Sequence, residues 1–233
     1  MSQIAIDGPA SSGKSSVGSR VAAALEYGFL DTGLLYRAVT RAALDAELAT
    51  SVLDESSAIS TEASERLVQL ALLAKIELRE GSATIVVDGR KYAPSELERG
   101  DVERAVASFA ALPEVRAALR TVQRDAAMRG RIVLAGRDIG TVVYPEARHK
   151  FFLDASAETR ALRRARQRGF AEGSLEHQEA LRSLVSRDKE DRSRTVAPLR
   201  AAEDALLIAT DALSLDQVVD QIVERVRTSP HAA

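Results

Sequence analysis

Short apolar runs alternate with amphipathic stretches along most of the chain. Gln3 to Asp7 (QIAID) is a continuous apolar run closed by Gly8-Pro9, the pattern of a buried strand followed by a turn. From Lys14 onward Val17, Val21, Ala24 and Leu25 recur at helical spacing. Gly28 to Asp31 reads as a break and a second short strand, and residues 33–48 carry an apolar face through Leu34, Leu35, Ala38, Val39, Ala42 and Ala43. The alternation returns later in the chain. Pro113–Met128 predicts an amphipathic helix, and Arg131–Ala135 (RIVLA) and Lys150–Leu153 (KFFL) predict strands that lead into polar turns. Ala157–Arg168 and Glu176–Asp188 predict charged helices. Ala205–Ala209 (ALLIA) reads as a last buried strand, and Leu215–Arg227 as a closing helix before a loose tail from Thr228. Strands alternating with helices predict βαβ units, hence an α/β fold with a central parallel sheet flanked by helices.

Between about residues 50 and 105 the pattern changes. Thr50–Ala63 is rich in Ser, Asp and Glu and reads as a loop with a helix start, and Leu67 to Leu73 is helical. Lys75–Arg79, Thr84–Val87 and Arg90–Ala93 are short runs separated by the Glu80-Gly81-Ser82 and Asp88-Gly89 turns, an antiparallel meander. The expected organisation is a core of residues 1–49 and 106–228, interrupted by a small α+β insertion at 50–105.

Composition narrows the class. With 233 residues, 45% hydrophobic and 28% charged, the chain can bury a sizeable core. No apolar run approaches the 18 residues of a membrane span. Residues 1–7 lack a signal-peptide pattern, and cysteine is absent, so the expectation is a cytoplasmic protein with neither disulfides nor thiolate chemistry. A net charge of −2 argues against bulk attraction to nucleic acid or membrane. That near-neutral sum conceals an uneven distribution. Residues 116–200 hold 19 basic and 11 acidic residues, a net +8, and arginine supplies 27 of the 32 basic side chains. Genome bias accounts for arginine outnumbering lysine, whereas the clustering points to anions.

The sharpest motif is Gly8-Pro9-Ala10-Ser11-Ser12-Gly13-Lys14-Ser15, which fills every fixed position of G-x-x-x-x-G-K-[ST] between a predicted strand and a predicted helix; Ser16 follows at once. Such a loop turns backbone N–H groups toward a phosphate at the positive end of a helix. Lys14 reaches the β- and γ-phosphates, and the Ser15 hydroxyl can bind Mg²⁺. The expected ligand is a nucleoside triphosphate with Mg²⁺. No guanine-reading N-K-x-D segment is present. Ile85–Asp88 and Phe151–Asp154 are apolar runs ending in an acid, as a motor ATPase would need, but the first lies in the meander and the second precedes an arginine-rich helix. A small-molecule kinase is the remaining common choice.

Three further segments are candidates for an acceptor site. Asp31-Thr32-Gly33-Leu34-Leu35-Tyr36-Arg37 falls at the end of the second strand, where parallel sheets bind ligands; Arg37 can clamp a phosphate and Thr32 can add a hydroxyl contact. Gly136-Arg137-Asp138-Ile139-Gly140-Thr141 places a cation and an acceptor between glycines. An Asp accepts from an amino group such as cytosine's, and an Arg donates to a carbonyl. In RDKEDRSR, Arg187, Asp191 and Arg194 share one helical face at i, i+4 and i+7, though a salt-bridged solvated helix is the better reading of that segment taken alone. Arg160, Arg163, Arg164, Arg166 and Arg168 put five arginines in nine residues, the type of group that neutralises a transferring phosphoryl, or else a charged helix face.

Together, IDGPASSGKSS, DTGLLYR, ALPEVR, GRDIGTVVYP, FFLDAS, RDKEDRSR and TVAPL resemble the bacterial cytidylate kinase family over nearly the whole chain. The resemblance implies a P-loop nucleoside-monophosphate-kinase fold with a nucleotide-binding insertion and a mobile helical lid at about residues 155–190. It also implies ATP-dependent, Mg²⁺-assisted phosphorylation of CMP and dCMP by a monomer. By the same resemblance Arg37, Arg137 and Arg194 hold the acceptor phosphate, Arg116 and Asp138 read cytosine with Thr32 nearby, and Arg187 and Asp191 lie near the sugar. Two positions depart from the family. Ala135 stands where an acidic residue usually precedes GRD, and Ala107 stands where a base-reading serine is expected, with Ser108 beside it as a substitute. The competing readings are a P-loop kinase for another small acceptor, such as UMP or a non-nucleotide, and a non-catalytic ATP-binding module.

Overall fold

A computed structural model describes residues 3–48, 61–79 and 82–229. The acidic stretch at 50–60, the Glu80-Gly81 step of the first meander turn and the tail beyond Ser229 lie outside the described residues. In chain order the elements are β1 (Gln3–Asp7), α1 (Lys14–Leu25), β2 (Gly28–Asp31), α2 (Thr32–Asp45), α3 (Thr61–Leu72), β3 (Lys75–Arg79), β4 (Ser82–Val87), β5 (Arg90–Lys91) and the short α4 (Pro94–Leu97). They continue with α5 (Gly100–Ala111), α6 (Pro113–Met128), β6 (Ile132–Gly136), a π-helical turn (Ile139–Val143), β7 (His149–Asp154), α7 (Ala157–Gln167), α8 (Leu175–Ser193), β8 (Leu206–Ala209) and α9 (Leu215–Thr228).

Five strands form one parallel sheet in the order β2-β6-β1-β7-β8. Helices cover both faces, which is why its inner strands read as unbroken apolar runs. Alternate residues serve alternate layers. Ile4, Ile6 and Val133 join Val17 and Val21 of α1 and Val218 and Ile222 of α9. Ala5, Ile132 and Leu134 face Leu35 and Val39 of α2, Leu67 of α3, Phe109 of α5 and Leu119 of α6. The strands β3, β4 and β5 form a separate antiparallel sheet, as the meander pattern predicts.

β1 is central, with β6 on one side and β7 on the other, so the strand order reverses direction at its C-terminal end. Parallel sheets open a ligand crevice at such a point. The segments placed there are the loop after β1, the start of α2 after β2, and the turn after β6.

Three expectations need correction. The ALLIA strand is not buried: β8 is the sheet's edge, and only Ile208 turns inward, while Leu206 and Leu207 are 44% and 65% exposed. The helix expected to end at Asp188 runs to Ser193, so Asp191 is carried on it, and Arg194, already extended in backbone, follows as its cap. A whole helix, α5, passes through the expected boundary at residue 105; its apolar face (Val102, Ala105, Val106 and Phe109) was legible but unassigned.

The layering predicts a contrast. Replacing Leu134 by Ala should cost about 3 kcal/mol, because it opens a cavity in the fully buried layer. The same change at Leu207 should cost less than about 0.5 kcal/mol. Urea denaturation midpoints measure both, and equal losses would contradict the placement of β8 at the edge.

Candidate nucleotide cleft

The loop after β1 is built to present donors. Gly13, at φ 94°, caps α1 in a left-handed conformation that favours glycine, and no side chain caps the helix. The first-turn N–H groups of α1 are therefore available to an anion. Lys14 is buried and folded back on its own loop, donating to the Pro9 carbonyl at 2.5 Å and to Ser12 Oγ at 3.3 Å. Burial and the nearby Arg137 guanidinium push its ammonium well below the usual lysine value, an imbalance that a bound polyphosphate would relieve.

Ser15 donates its hydroxyl to Asp31, which also accepts from Gly33 N at 2.9 Å as the N-cap of α2. A hydroxyl and a carboxylate side by side beneath the loop form a hard oxygen donor set, which suits Mg²⁺. Among the described residues no group of three or more His, Cys, Asp or Glu side chains could hold a metal by itself. A cation here would therefore be shared with phosphate oxygens. Ala135 pairs in register with Asp31 and is buried in the apolar layer against α1, so Asp31 supplies the carboxylate at that level of the sheet.

The cleft in front of the loop has a volume of about 730 Å³ and spans from α2, α5 and α6 on one side to α7, α8 and the start of α9 on the other. It brings together the predicted residues Ala10 to Ser16, Thr32, Arg37, Arg116, Arg137, Asp138, Arg187, Asp191 and Arg194. Gly8 and Pro9 shape the loop from behind rather than lining the cleft. Ser108 is exposed on α5 and does not line the cleft; Val106 and Ala110 are the α5 residues that do. Helical geometry explains this, because Val106 and Ala110 lie one turn apart on the face packed inward.

Several of the predicted residues outside the loop are tied to one another. Arg116 meets Asp138 at 2.6 Å, and its guanidinium lies 5.7 Å from the centre of the Tyr36 ring. Asp191, only 1% exposed, accepts from Arg137 at 3.1 Å and from Arg194 at 2.5 Å. Arg37 is anchored to the Leu97 carbonyl at 3.0 Å, and the Thr32 hydroxyl donates to the Ala135 carbonyl at 2.9 Å. Gly136 permits this crowding, since a Cβ there would fall 2.6 Å from Ile139 Cδ1 and 2.8 Å from Thr32 Oγ1. Burial raises the Asp138 carboxyl while Arg116 opposes the rise, and burial together with Arg137 lowers the Arg187 guanidinium.

The arginine-rich helix divides in two. Arg160 is buried and structural: it joins the Ala155 and Ala10 carbonyls at 2.9 and 3.0 Å and pairs with Asp188. Arg163 and Arg164 line the cleft. The former bonds Thr210 and the latter Glu103 of α5, which Arg168 also reaches. Sequence reasoning missed Asp7, Asp31, Tyr36 and Glu103. The signal for Asp7 was present, since QIAID is itself an apolar strand ending in an acid. Asp88 and Asp154, which share that pattern, are exposed and do not line the cleft.

Eight cationic side chains line the cleft against three carboxylates, a surplus suited to ligands bearing several phosphates. The switch-point crevice, the uncapped glycine-rich loop and the converging arginines are those of a P-loop kinase. A family model for cytidylate kinase matches residues 4–228. A cytidylate kinase of Exiguobacterium sp. is 38% identical, with 97% of each chain covered. One of Exiguobacterium sibiricum is 41% identical over 95% of each, and one of Carboxydothermus hydrogenoformans 39% over 95% and 96%. The shikimate kinase of Bacteroides thetaiotaomicron shares the fold at a TM-score of 0.50 and 13% identity, covering 97% of this chain and 98% of its own. The chain belongs to the cytidylate kinase family.

One titration tests the buried floor of this cleft. Burial raises the Asp7 carboxyl from its usual 3.8 to about 6, against the lowering pull of two backbone N–H donors. Because the folded value exceeds the unfolded one, this group favours the fold most below pH 3.8, and that contribution is lost as pH rises through 6. Carbon-detected NMR of the unliganded protein should show Asp7 titrating near pH 6, and a midpoint near 4 would contradict its enclosure.

Proposed function

We propose that this protein transfers the γ-phosphoryl group of ATP to an α-phosphate oxygen of CMP or dCMP, giving the diphosphate. The observation that carries this reading is the Arg116–Asp138 pair beside the arginines Arg37, Arg137 and Arg194. It places a donor and an acceptor suited to cytosine next to cations suited to one phosphate, facing the loop that takes the triphosphate.

The acceptor oxygen is already ionised, so the reaction needs no protein base. The protein's contribution is positioning and charge neutralisation. Lys14 and the N–H groups of residues 8–16 hold the donor phosphates, and Arg163 and Arg164 border them from α7. Mg²⁺, held by Ser15 with Asp31 beside it, would neutralise charge on the donor phosphates. Arg37, Arg137 and Arg194 align the acceptor phosphate, Arg116 and Asp138 read the base beside Tyr36, and Arg187 and Asp191 lie toward the sugar. Thr32 acts from beneath, through the Ala135 carbonyl. Ser108 would enter only if α5 turned on binding.

The insertion, residues 50–105 with the boundary falling inside α5, is proposed to bind the acceptor, and residues 155–190 to act as the lid, whose closure excludes competing water. A cytoplasmic monomer without a nucleic-acid or membrane partner fits this role. No helix among the described residues is long and apolar enough to cross a membrane.

Two experiments check the reading. Lys14→Ala should lower turnover by orders of magnitude and leave the melting curve unchanged; an active variant would overturn it. A coupled assay offering CMP, dCMP, UMP, AMP and shikimate should show preference for the cytidine nucleotides, and preference for any other acceptor would defeat the base assignment.

A further inference from the structure

Asp7 ends β1 one residue before the phosphate loop. Its side chain is 3% exposed and does not line the cleft. One carboxylate oxygen accepts from Ile139 N at 2.8 Å and the other from Gly140 N at 2.7 Å. These are the first two residues of the π-helical turn, whose own backbone bonds begin later, from Val142 and Val143 to the Asp138 carbonyl at 2.9 and 3.0 Å. The opening N–H groups of such a turn have no internal partner. A side chain from a different strand supplies both, and its negative charge strengthens both bonds.

The same residue grips the other end of the segment. Asp7 pairs in register with Gly136, so Arg137 and Asp138 form a two-residue span held by the backbone of Asp7 on one side and by its carboxylate on the other. There is little room to slide. A Cβ on Gly140 would stand 3.2 Å from Lys150 Cδ and 3.4 Å from the Asp7 carboxylate, while the fully buried Ile139 packs against Gly136. On its other side Asp7 leads directly into Gly8 and Pro9, whose carbonyl holds Lys14.

We propose that Asp7 is a positioning residue that locks the Arg137–Asp138 turn to the phosphate loop and so sets the acceptor nucleotide in register with the donor. This rests on the acceptor assignment above. Asp7 touches neither nucleotide and acts through the turn. An Asn at this position keeps one acceptor oxygen but turns an N–H toward a backbone N–H. One of the two bonds is lost, and the span that carries Arg137 and Asp138 is released at one end.

The test is steady-state kinetics of Asp7→Asn with CMP varied, alongside calorimetry of a non-hydrolysable ATP analogue. We expect the KM for CMP to rise about tenfold or more, the scale of one charge-assisted hydrogen bond, with kcat falling as well. The affinity for the ATP analogue should stay within about threefold. An unchanged KM for CMP, or equal losses in donor and acceptor affinity, would overturn the proposal. In the wild-type protein, NMR couplings across the hydrogen bonds from the Ile139 and Gly140 amides to the Asp7 carboxyl carbon give a second readout that does not depend on the variant folding. Their presence supports the lock and their absence refutes it. A wild-type enzyme that ignores CMP yet shows these couplings would instead defeat the acceptor assignment.

Discussion

Guanidinium groups repel one another, and in a cleft that gathers seven of them the Leu97 carbonyl holds Arg37, Thr210 holds Arg163, and carboxylates pair with four more. Asp191 is the central one. It reaches from the last turn of α8 to Arg137 after β6 and to Arg194 beyond the helix end, joining segments far apart in the chain. Asp138 does the same for Arg116, Asp188 for Arg160, and Glu103 for Arg164 and Arg168 across the cleft. Even where such a pair is enclosed, as at Asp191, it is not a source of great stability, because desolvation offsets much of the attraction; removing one partner, however, leaves a stranded charge. Their effect is geometric. They fix the directions of the arginines and leave a net positive surplus that only an anionic ligand completes.

The sheet supplies the frame for that arrangement. β1 lies between β6 and β7, so the phosphate loop, the turn after β6 and the start of α2 all emerge at one edge of the sheet. The apolar layers on both faces keep those strand ends rigid. Shared fold alone does not decide the acceptor: a shikimate kinase has the same architecture, and what separates the cytidylate kinase reading is the chemistry of the Arg116–Asp138 pair and its neighbours.

Much of this was legible in the sequence because its causes are local. The glycine-rich loop needs its residues at fixed spacing between a strand and a helix, and the parallel strands announce themselves as apolar runs. The meander shows its Gly turns. What the sequence hid depends on distant partners. Nothing near Asp7 reveals that its carboxylate caps a turn some 130 residues away. Nothing near Arg160 shows that it is consumed by the carbonyls of Ala10 and Ala155, whereas Arg163 and Arg164, about one turn further on, face the cleft. Ser108 is a candidate because it stands beside Ala107, the position where a serine is expected, but the rotation of α5 is set by the burial of Phe109 and Val106 and carries Ser108 outward. β8 reads as apolar as the central strands, and only the strand order shows that it has no outer neighbour.

Arg137 and Arg194, held by Asp191, and Arg37, held by the Leu97 carbonyl, are proposed to set where the acceptor phosphate sits. A crystal structure with CMP and a non-hydrolysable ATP analogue tests it most directly. The CMP phosphate is expected among Arg37, Arg137 and Arg194, with the cytosine edge against Arg116 and Asp138. Density for CMP elsewhere, or its phosphate bound away from all three arginines, would contradict it.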